Sequence, residues 1–238
     1  MKILVFLPTY NEKENIAEII DSLNKLNIQF QILIVDDNSY DGTIEIIKEK
    51  QKQYQNLKLI IRKGRKGRGL AGILAFNYFI RNKYDILIEM DADFSHHPKY
   101  IPDFLNFFPN YDLVIGSRLI KDGCEEGRSL LRRDITLFAN IFIRILFRTK
   151  IKDCSSGFRA FKRQLLEKFN LNKFFSKHYS ITEEILYACI LNKAKIKEIP
   201  IIFYQRAYGE SKLNFKKILN TFLGIVRIVL RGKKIIKK

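Results

Sequence analysis

The chain has 238 residues, 47% of them hydrophobic, enough to build one α/β domain with a sizeable core. Its formal net charge of +18 directs attention to anionic partners: phosphates, nucleic acid or an acidic lipid surface. The three cysteines, Cys124, Cys154 and Cys189, are scattered with no Cys-x-x-Cys, which argues against a disulfide framework and fits a reduced, cytoplasmic setting.

From the N-terminus, residues 3 to 7 are apolar but Pro8-Thr9-Tyr10-Asn11-Glu12 follows at once. That run is too short for a signal peptide, and no stretch reaches the about 20 apolar residues needed to span a bilayer. Strand and helix patterns then alternate. Lys2–Leu7 reads as a strand and Glu12–Leu26 as a helix; Gln31–Val35 as a strand and Thr43–Gln53 as a helix. Leu57–Ile61 reads as a strand, Leu70–Arg81 as a helix, and Tyr84–Met90 as a strand. Apolar strands between amphipathic helices predict a mostly parallel twisted sheet with helices on both faces, Rossmann-like in its first half. Ligands of such sheets bind beyond the carboxyl ends of the strands. Three polar clusters fall there: Pro8–Glu12, Asp36–Thr43 and Asp91–His97.

Asp91-Ala92-Asp93 offers two hard carboxylates at a strand end, the donor type that Mg²⁺ or Mn²⁺ takes when it bridges protein to a diphosphate. An isolated Asp-x-Asp is more often a solvated turn, so its weight comes from its neighbours. In Asp36-Asp37-Asn38-Ser39-Tyr40-Asp41-Gly42-Thr43, the last three residues read as a turn and helix cap. Asp36 and Asp37 are left without a structural purpose, and an acid there can accept hydrogen bonds from a base or ribose. Lys63-Gly64-Arg65-Lys66-Gly67-Arg68-Gly69 reads either as a phosphate-cradling loop or as a solvated one, and it lacks the Walker A ending.

Together these blocks resemble family 2 glycosyltransferases of the GT-A fold, and more narrowly the dolichol-phosphate mannose synthases. Gly116-Ser117-Arg118, Ser156-Gly157-Phe158-Arg159 and Arg206-Ala207-Tyr208-Gly209-Glu210-Ser211-Lys212 extend the resemblance in the family's order. It implies inverting transfer of mannose from GDP-mannose to a polyprenyl phosphate. Carried over by motif position, Pro8, Tyr10 and Glu12 line the nucleotide pocket and Val35 and Asp37 contact base or ribose. Asp91, Ala92 and Asp93 hold metal and diphosphate, while Arg118, Arg206 and Lys212 sit on phosphates. The glycine loop, Gly67-Arg68-Gly69-Leu70-Ala71, and the segment Cys154-Ser155-Ser156-Gly157 depart from common family patterns. UDP-glucose as donor therefore stands as the alternative. A basic nucleic-acid or membrane module without catalysis is a remote one, because acids at three strand ends repel a polyanion.

A phosphate monoester acceptor has a second pKa of about 6, so it attacks without a strong general base. His96 and His97 are adjacent, poorly spaced for shared metal ligation, and read as packing and hydrogen-bonding groups. In Ser129–Arg148 the residues Arg132, Thr136, Asn140, Arg144 and Arg148 recur at every fourth position within an otherwise apolar helix. That helix is either core or membrane interface. By analogy with the family, Arg132 and Thr136 clasp the acceptor phosphate. Residues 1–213 read as the transferase domain and 214–238 as an amphipathic, basic tail ending in Lys233, Lys234, Lys237 and Lys238, suited to anionic lipid. The expected setting is peripheral, on the cytoplasmic face of a membrane, with or without a membrane-anchoring partner subunit and with no nucleic acid.

Overall fold

The computed structural model describes residues 1–108, 110–178, 180–205 and 215–231, the last stretch with side chains from residue 222. The first half follows the alternation of the sequence. Strand β1 (Ile3–Thr9) leads to helix α1 (Lys13–Asn24), β2 (Gln31–Asp36) to α2 (Thr43–Gln53), and β3 (Leu57–Ile61) to α3 (Arg68–Arg81). Then come β4 (Ile86–Glu89), α4 (Ile101–Leu105), β5 (Leu113–Ser117), β6 (Cys124–Glu126) and α5 (Leu130–Phe147). The chain continues through β7 (Arg159–Lys162), α6 (Arg163–Leu166), α7 (Ile181–Leu191), β8 (Ile196–Pro200), β9 (Ile202–Tyr204) and α8 (Phe215–Arg231).

Seven strands form one sheet in the order β3-β2-β1-β4-β7-β5-β8, and β6 pairs with β9 apart from it. All neighbours in the large sheet are parallel except β7, which runs antiparallel to both β4 and β5. The sheet divides two apolar cores, as its period-2 side-chain alternation requires. In β1, Ile3, Val5 and Leu7 face a core shared with Ile16, Ile19 and Ile20 of α1 and Phe104 of α4. Leu4 and Phe6 face the other, shared with Phe76 and Phe79 of α3 and Ile185 of α7. Ile225 and Ile228 of α8 are fully buried in that second core.

Helix α5 has one face in the core and another exposed. Asn140, Ile143 and Phe147 are buried, whereas Leu130, Leu131, Leu137, Phe138, Ile141 and Ile145 are exposed. Asn140, midway along the polar stripe, faces the protein. Its Oδ1 accepts the backbone N–H groups of Cys154 (2.7 Å) and Ser155 (3.2 Å), pinning α5 to the loop before β7. Leu223, Val226 and Leu230 of α8 are exposed too, and Phe142 of α5 meets Phe222 of α8 edge to face at 4.8 Å between centroids.

The inserted antiparallel strand is held by its aromatic side chain. Phe161 pairs in register with Leu87 on one side and Leu113 on the other, and its ring meets Phe76 of α3 at 6.0 Å. Phe161→Ala is expected to lower stability by about 3–5 kcal/mol, read from the urea midpoint.

Candidate active site

The polar clusters of the sequence converge at the carboxyl ends of the parallel strands. They line a cavity of about 340 Å³ walled by Pro8, Thr9, Tyr10 and Glu12 after β1, Asp37 after β2, Lys66, Gly67 and Arg68 at the start of α3, and Asp91, Ala92 and Asp93 after β4. Ala71 and His178 complete the wall.

Each acid has a place. Asp36 does serve the structure, against the expectation that it lacked a structural purpose. It is fully buried and accepts the hydroxyls of Thr9 (2.6 Å) and Ser39 (2.7 Å) and the backbone N–H of Ser39 (2.7 Å). Those bonds fix the turn that presents Asp37. The Asp37 carboxylate accepts Arg62 Nη1 through Oδ1 and the Gly67 N–H at 2.6 Å through Oδ2. Asp93 is buried, its Oδ1 accepting both the backbone N–H and the hydroxyl of Ser95. Phe94 between them takes a left-handed φ of 59°, which turns the chain tightly there.

The glycine loop is tied to the protein at both ends. Besides the bond from Gly67 to Asp37, the Gly69 N–H donates to Lys177 O at 3.1 Å. Two loop N–H groups that a phosphate cradle would use are therefore engaged internally. A Cβ at Gly67 would lie 2.3 Å from Lys177 O, and one at Gly69 2.2 Å from Ser176 O, so the glycines are demanded by this close approach. Lys66 sits over the mouth, its Nζ 3.8 Å from the Tyr10 ring centroid and 5.9 Å from that of Tyr40.

His96 is buried between Phe158 and Phe203, with ring centroids 5.2 Å and 5.5 Å away. Its Nδ1 accepts the Asp91 backbone N–H at 3.1 Å. Burial pushes its pKa down, against the pull of Asp91 and Asp93. The imidazole is thus a neutral acceptor, and its 3.6 Å approach to Asp91 Oδ2 is not an ion pair. His97 Nδ1 accepts the Lys99 N–H.

The remaining sequence-derived residues do not line the cavity. Val35 is buried in the sheet beside Pro8. Arg118 lies in its own cluster: Nε and Nη2 each donate to Asp153 at 2.7 Å, Nη2 also to Ser155 Oγ, and Nη1 is 3.2 Å from Glu125. Burial works against charge on both partners. Their attraction outweighs it, holding Arg118 above and Asp153 below its ordinary value. Thr136 donates to Arg132 O and accepts from Arg128 Nη1 at 3.2 Å. Arg132 is half-buried on the same turn of α5. Arg206 and Lys212 lie outside the described residues.

Sequence reasoning passed over Arg62, Asp153 and His178 and left Arg68 only as a loop cation. Arg68 Nη2 is 3.0 Å from Asp91 Oδ1 and 3.4 Å from Glu89 Oε1. The one available signal was the density of cations beside a site of acids; Asp153 and His178 carried none. Behind the cavity, Glu89, Arg159 and Glu183 form a buried charged group. Burial lowers the Arg159 pKa and raises that of Glu89, and it pushes Glu183 up to about 7, with Arg159 and Arg68 pulling back only in part. Burial also pushes the Cys154 and Cys189 thiols up to about 12.

Among the described residues no three His, Cys, Asp or Glu side chains group as a metal site. What the rim offers is two hard carboxylates, Asp91 and Asp93, on one cavity wall. This donor set fits a cation that completes its shell with diphosphate and water, the habit of Mg²⁺ and Mn²⁺.

Comparison with known families identifies the chain: it belongs to glycosyl transferase family 2, whose model matches residues 4–169. Within that family it is 33% identical over 232 residues to the polyprenol monophosphomannose synthase of Mycolicibacterium smegmatis, covering 97% of this chain and 88% of the relative. It is 31% identical over 214 residues to the undecaprenyl-phosphate mannosyltransferase of Micrococcus luteus, covering 90% and 88%. Its GT-A-like fold is shared with glucosyl-3-phosphoglycerate synthase from Mycobacterium tuberculosis, solved with Mn²⁺, UDP-glucose and phosphoglyceric acid. The TM-score is 0.70 at 18% identity, covering 100% of this chain and 81% of that one.

Glu183 yields a test of the buried charges. Its folded pKa of about 7 lies above the ordinary 4.5, so the folded chain binds the proton more tightly than the unfolded one. The stability this supplies is full below the unfolded value and is lost as pH rises through the folded one. Glu183→Gln is therefore expected to gain on the parent chain by about 2–3 kcal/mol between acid and mildly alkaline pH, measured as urea stability across that range.

Proposed function

We propose that this chain transfers mannose from GDP-mannose to a polyprenyl phosphate at a membrane surface, with inversion at the anomeric carbon. The observation that carries the reading is one cavity lined by acids and cations in a chain whose relatives are named for polyprenyl-phosphate mannose transfer. A continuous set of contacts joins it to an apolar surface. The exposed side chains of α5 sit on a helix pinned by Asn140 to Cys154 and Ser155, and Gly157, two residues on, abuts Arg68 in the cavity wall.

In this reading the Pro8, Tyr10 and Glu12 loop seats the nucleoside with Asp37, while Val35, buried in the sheet beside Pro8, does not reach it. Asp91 and Asp93 would hold Mg²⁺ or Mn²⁺, with Ala92 between them on the same wall, and the cation would supply positive charge for the departing diphosphate. Arg132, Arg206 and Lys212, with the Thr136 hydroxyl, gather the phosphates against their mutual repulsion, whereas Arg118 is buried and held by Asp153 and Glu125. The acceptor phosphate is already anionic near neutral pH. Its oxygen bonds to the anomeric carbon as the bond to the GDP oxygen breaks, and no proton has to move. A neutral, packed His96 suits a reaction without a general base.

Among the described residues no helix is long and apolar enough to cross a membrane. The proposed attachment is peripheral, on the cytoplasmic face, through the exposed apolar residues of α5 and α8, with or without a membrane-anchoring partner subunit. Residues 1–213 are then the catalytic domain, and α8 both packs on it and faces lipid. The basic residues beyond 231 lie outside the described residues.

In a transfer assay with detergent-dispersed polyprenyl phosphate, GDP-mannose is expected to label the lipid with Mn²⁺ and not with EDTA. Asp93→Ala is expected to lower the rate about 100-fold or more. Label from UDP-glucose only would replace the donor, and no lipid label from either would defeat the reading. For the surface, Phe138→Glu with Ile145→Glu is expected to lower binding to anionic liposomes about tenfold or more, seen by flotation.

A further inference from the structure

Three carboxylates, Glu89, Asp91 and Asp93, follow one another at alternate positions where β4 ends. Glu89 and Asp93 are buried, and the Asp91 side chain is 29% exposed. Such a cluster needs positive charge nearby whether or not a metal is bound. The guanidinium of Arg68 supplies it. Nη2 lies 3.0 Å from Asp91 Oδ1 and 3.4 Å from Glu89 Oε1, and Nη1 donates to Thr182 Oγ1 at 3.0 Å.

The position is built and not incidental. Gly157 makes room for the guanidinium: a Cβ there would lie 2.7 Å from Nη2, 3.1 Å from Nη1 and 3.2 Å from Cζ. The Arg68 side chain is 12% exposed. Its backbone is fixed by the bonds of Gly67 to Asp37 and of Gly69 to Lys177 on either side.

We infer that Arg68 is a resident counter-ion of Asp91 that a divalent cation must displace, so that this chain sets its own metal affinity through the glycine loop. The inference rests on the metal reading above. A guanidinium and a divalent cation compete for the same negatively charged lone pairs of Asp91. Arg68 is thereby a positioning residue: it holds the Asp91 carboxylate in place until the cation arrives, at the cost of weaker metal binding. Its exit lies into the cavity it already lines, where a diphosphate would receive it.

The test is Mn²⁺ binding to the full chain without nucleotide, followed by the electron paramagnetic resonance signal of unbound Mn²⁺. Arg68→Leu is expected to tighten binding about three- to tenfold. Gly157→Ala keeps every charge but its methyl group evicts the guanidinium, and it is expected to shift affinity in the same direction. Arg65→Leu removes a charge from an exposed position of the same loop that does not line the cavity, and it is expected to leave affinity within about twofold. Loss of a merely structural contact would loosen the site, so tightening is diagnostic. The inference is overturned if Arg68→Leu binds Mn²⁺ no more tightly than the parent chain, or if Arg65→Leu tightens it equally. Lipid labelling from GDP-mannose alongside an Arg68-independent Mn²⁺ affinity would keep the proposed function and remove this inference. The converse pattern would do the reverse.

Discussion

A guanidinium with no solvent exposure at all, that of Arg159, organises the middle of this molecule. It stands on the antiparallel strand β7 in register with Glu89 of β4. Its Nη1 donates to Thr182 O at the start of α7, and its Nη2 donates to Cys154 O at 2.7 Å in the loop that receives α5. One side chain thus joins the sheet, the 153–157 loop and α7. Burying such a charge costs several kcal/mol, which the carbonyl acceptors and the carboxylates of Glu89 and Glu183 must offset. Removing it would strand two acids in a low dielectric. The same arrangement sets the background charge against which Asp91 and Arg68 meet.

The rim shows how a strongly basic chain keeps acids usable. Its carboxylates are held by specific donors: Asp37 by Arg62 and a backbone N–H, Asp93 by Ser95, and Asp36 beneath them by hydroxyls. Bonds to ionised groups are roughly twice as strong as neutral ones, and they fix geometry as well as charge. The result is a site whose polar atoms are pre-arranged before any phosphate enters, the condition under which electrostatic stabilisation acts without reorganisation.

The first half of the fold was legible in the sequence because each strand there is a continuous apolar run between amphipathic helices. β7 was not: four residues beginning with a buried arginine carry no strand signal, and its direction is set by neighbours distant in the chain. The carboxylates of the rim could be read because parallel topology forces strand ends together. Arg62, Arg68 and Asp153 could not be assigned, since their partners lie 25, 23 and 35 residues away and only folding brings them close. Asp36 was misread because its role depends on Thr9 from another strand. For α5, the periodic stripe gave the face but not what lies against it. The stripe turned inward through Asn140 and left hydrocarbon outward.

The close approach of Gly67 and Gly69 to Ser176 and Lys177 has a mechanical consequence. With no side chain to act as a spacer, the two backbones touch and the segment leading into α7 rides on the loop. The Gly69 N–H also donates across this seam to Lys177 O at 3.1 Å. On this side the cavity wall is backed by main chain against main chain, so a side chain added to either glycine would have to part the two stretches of chain.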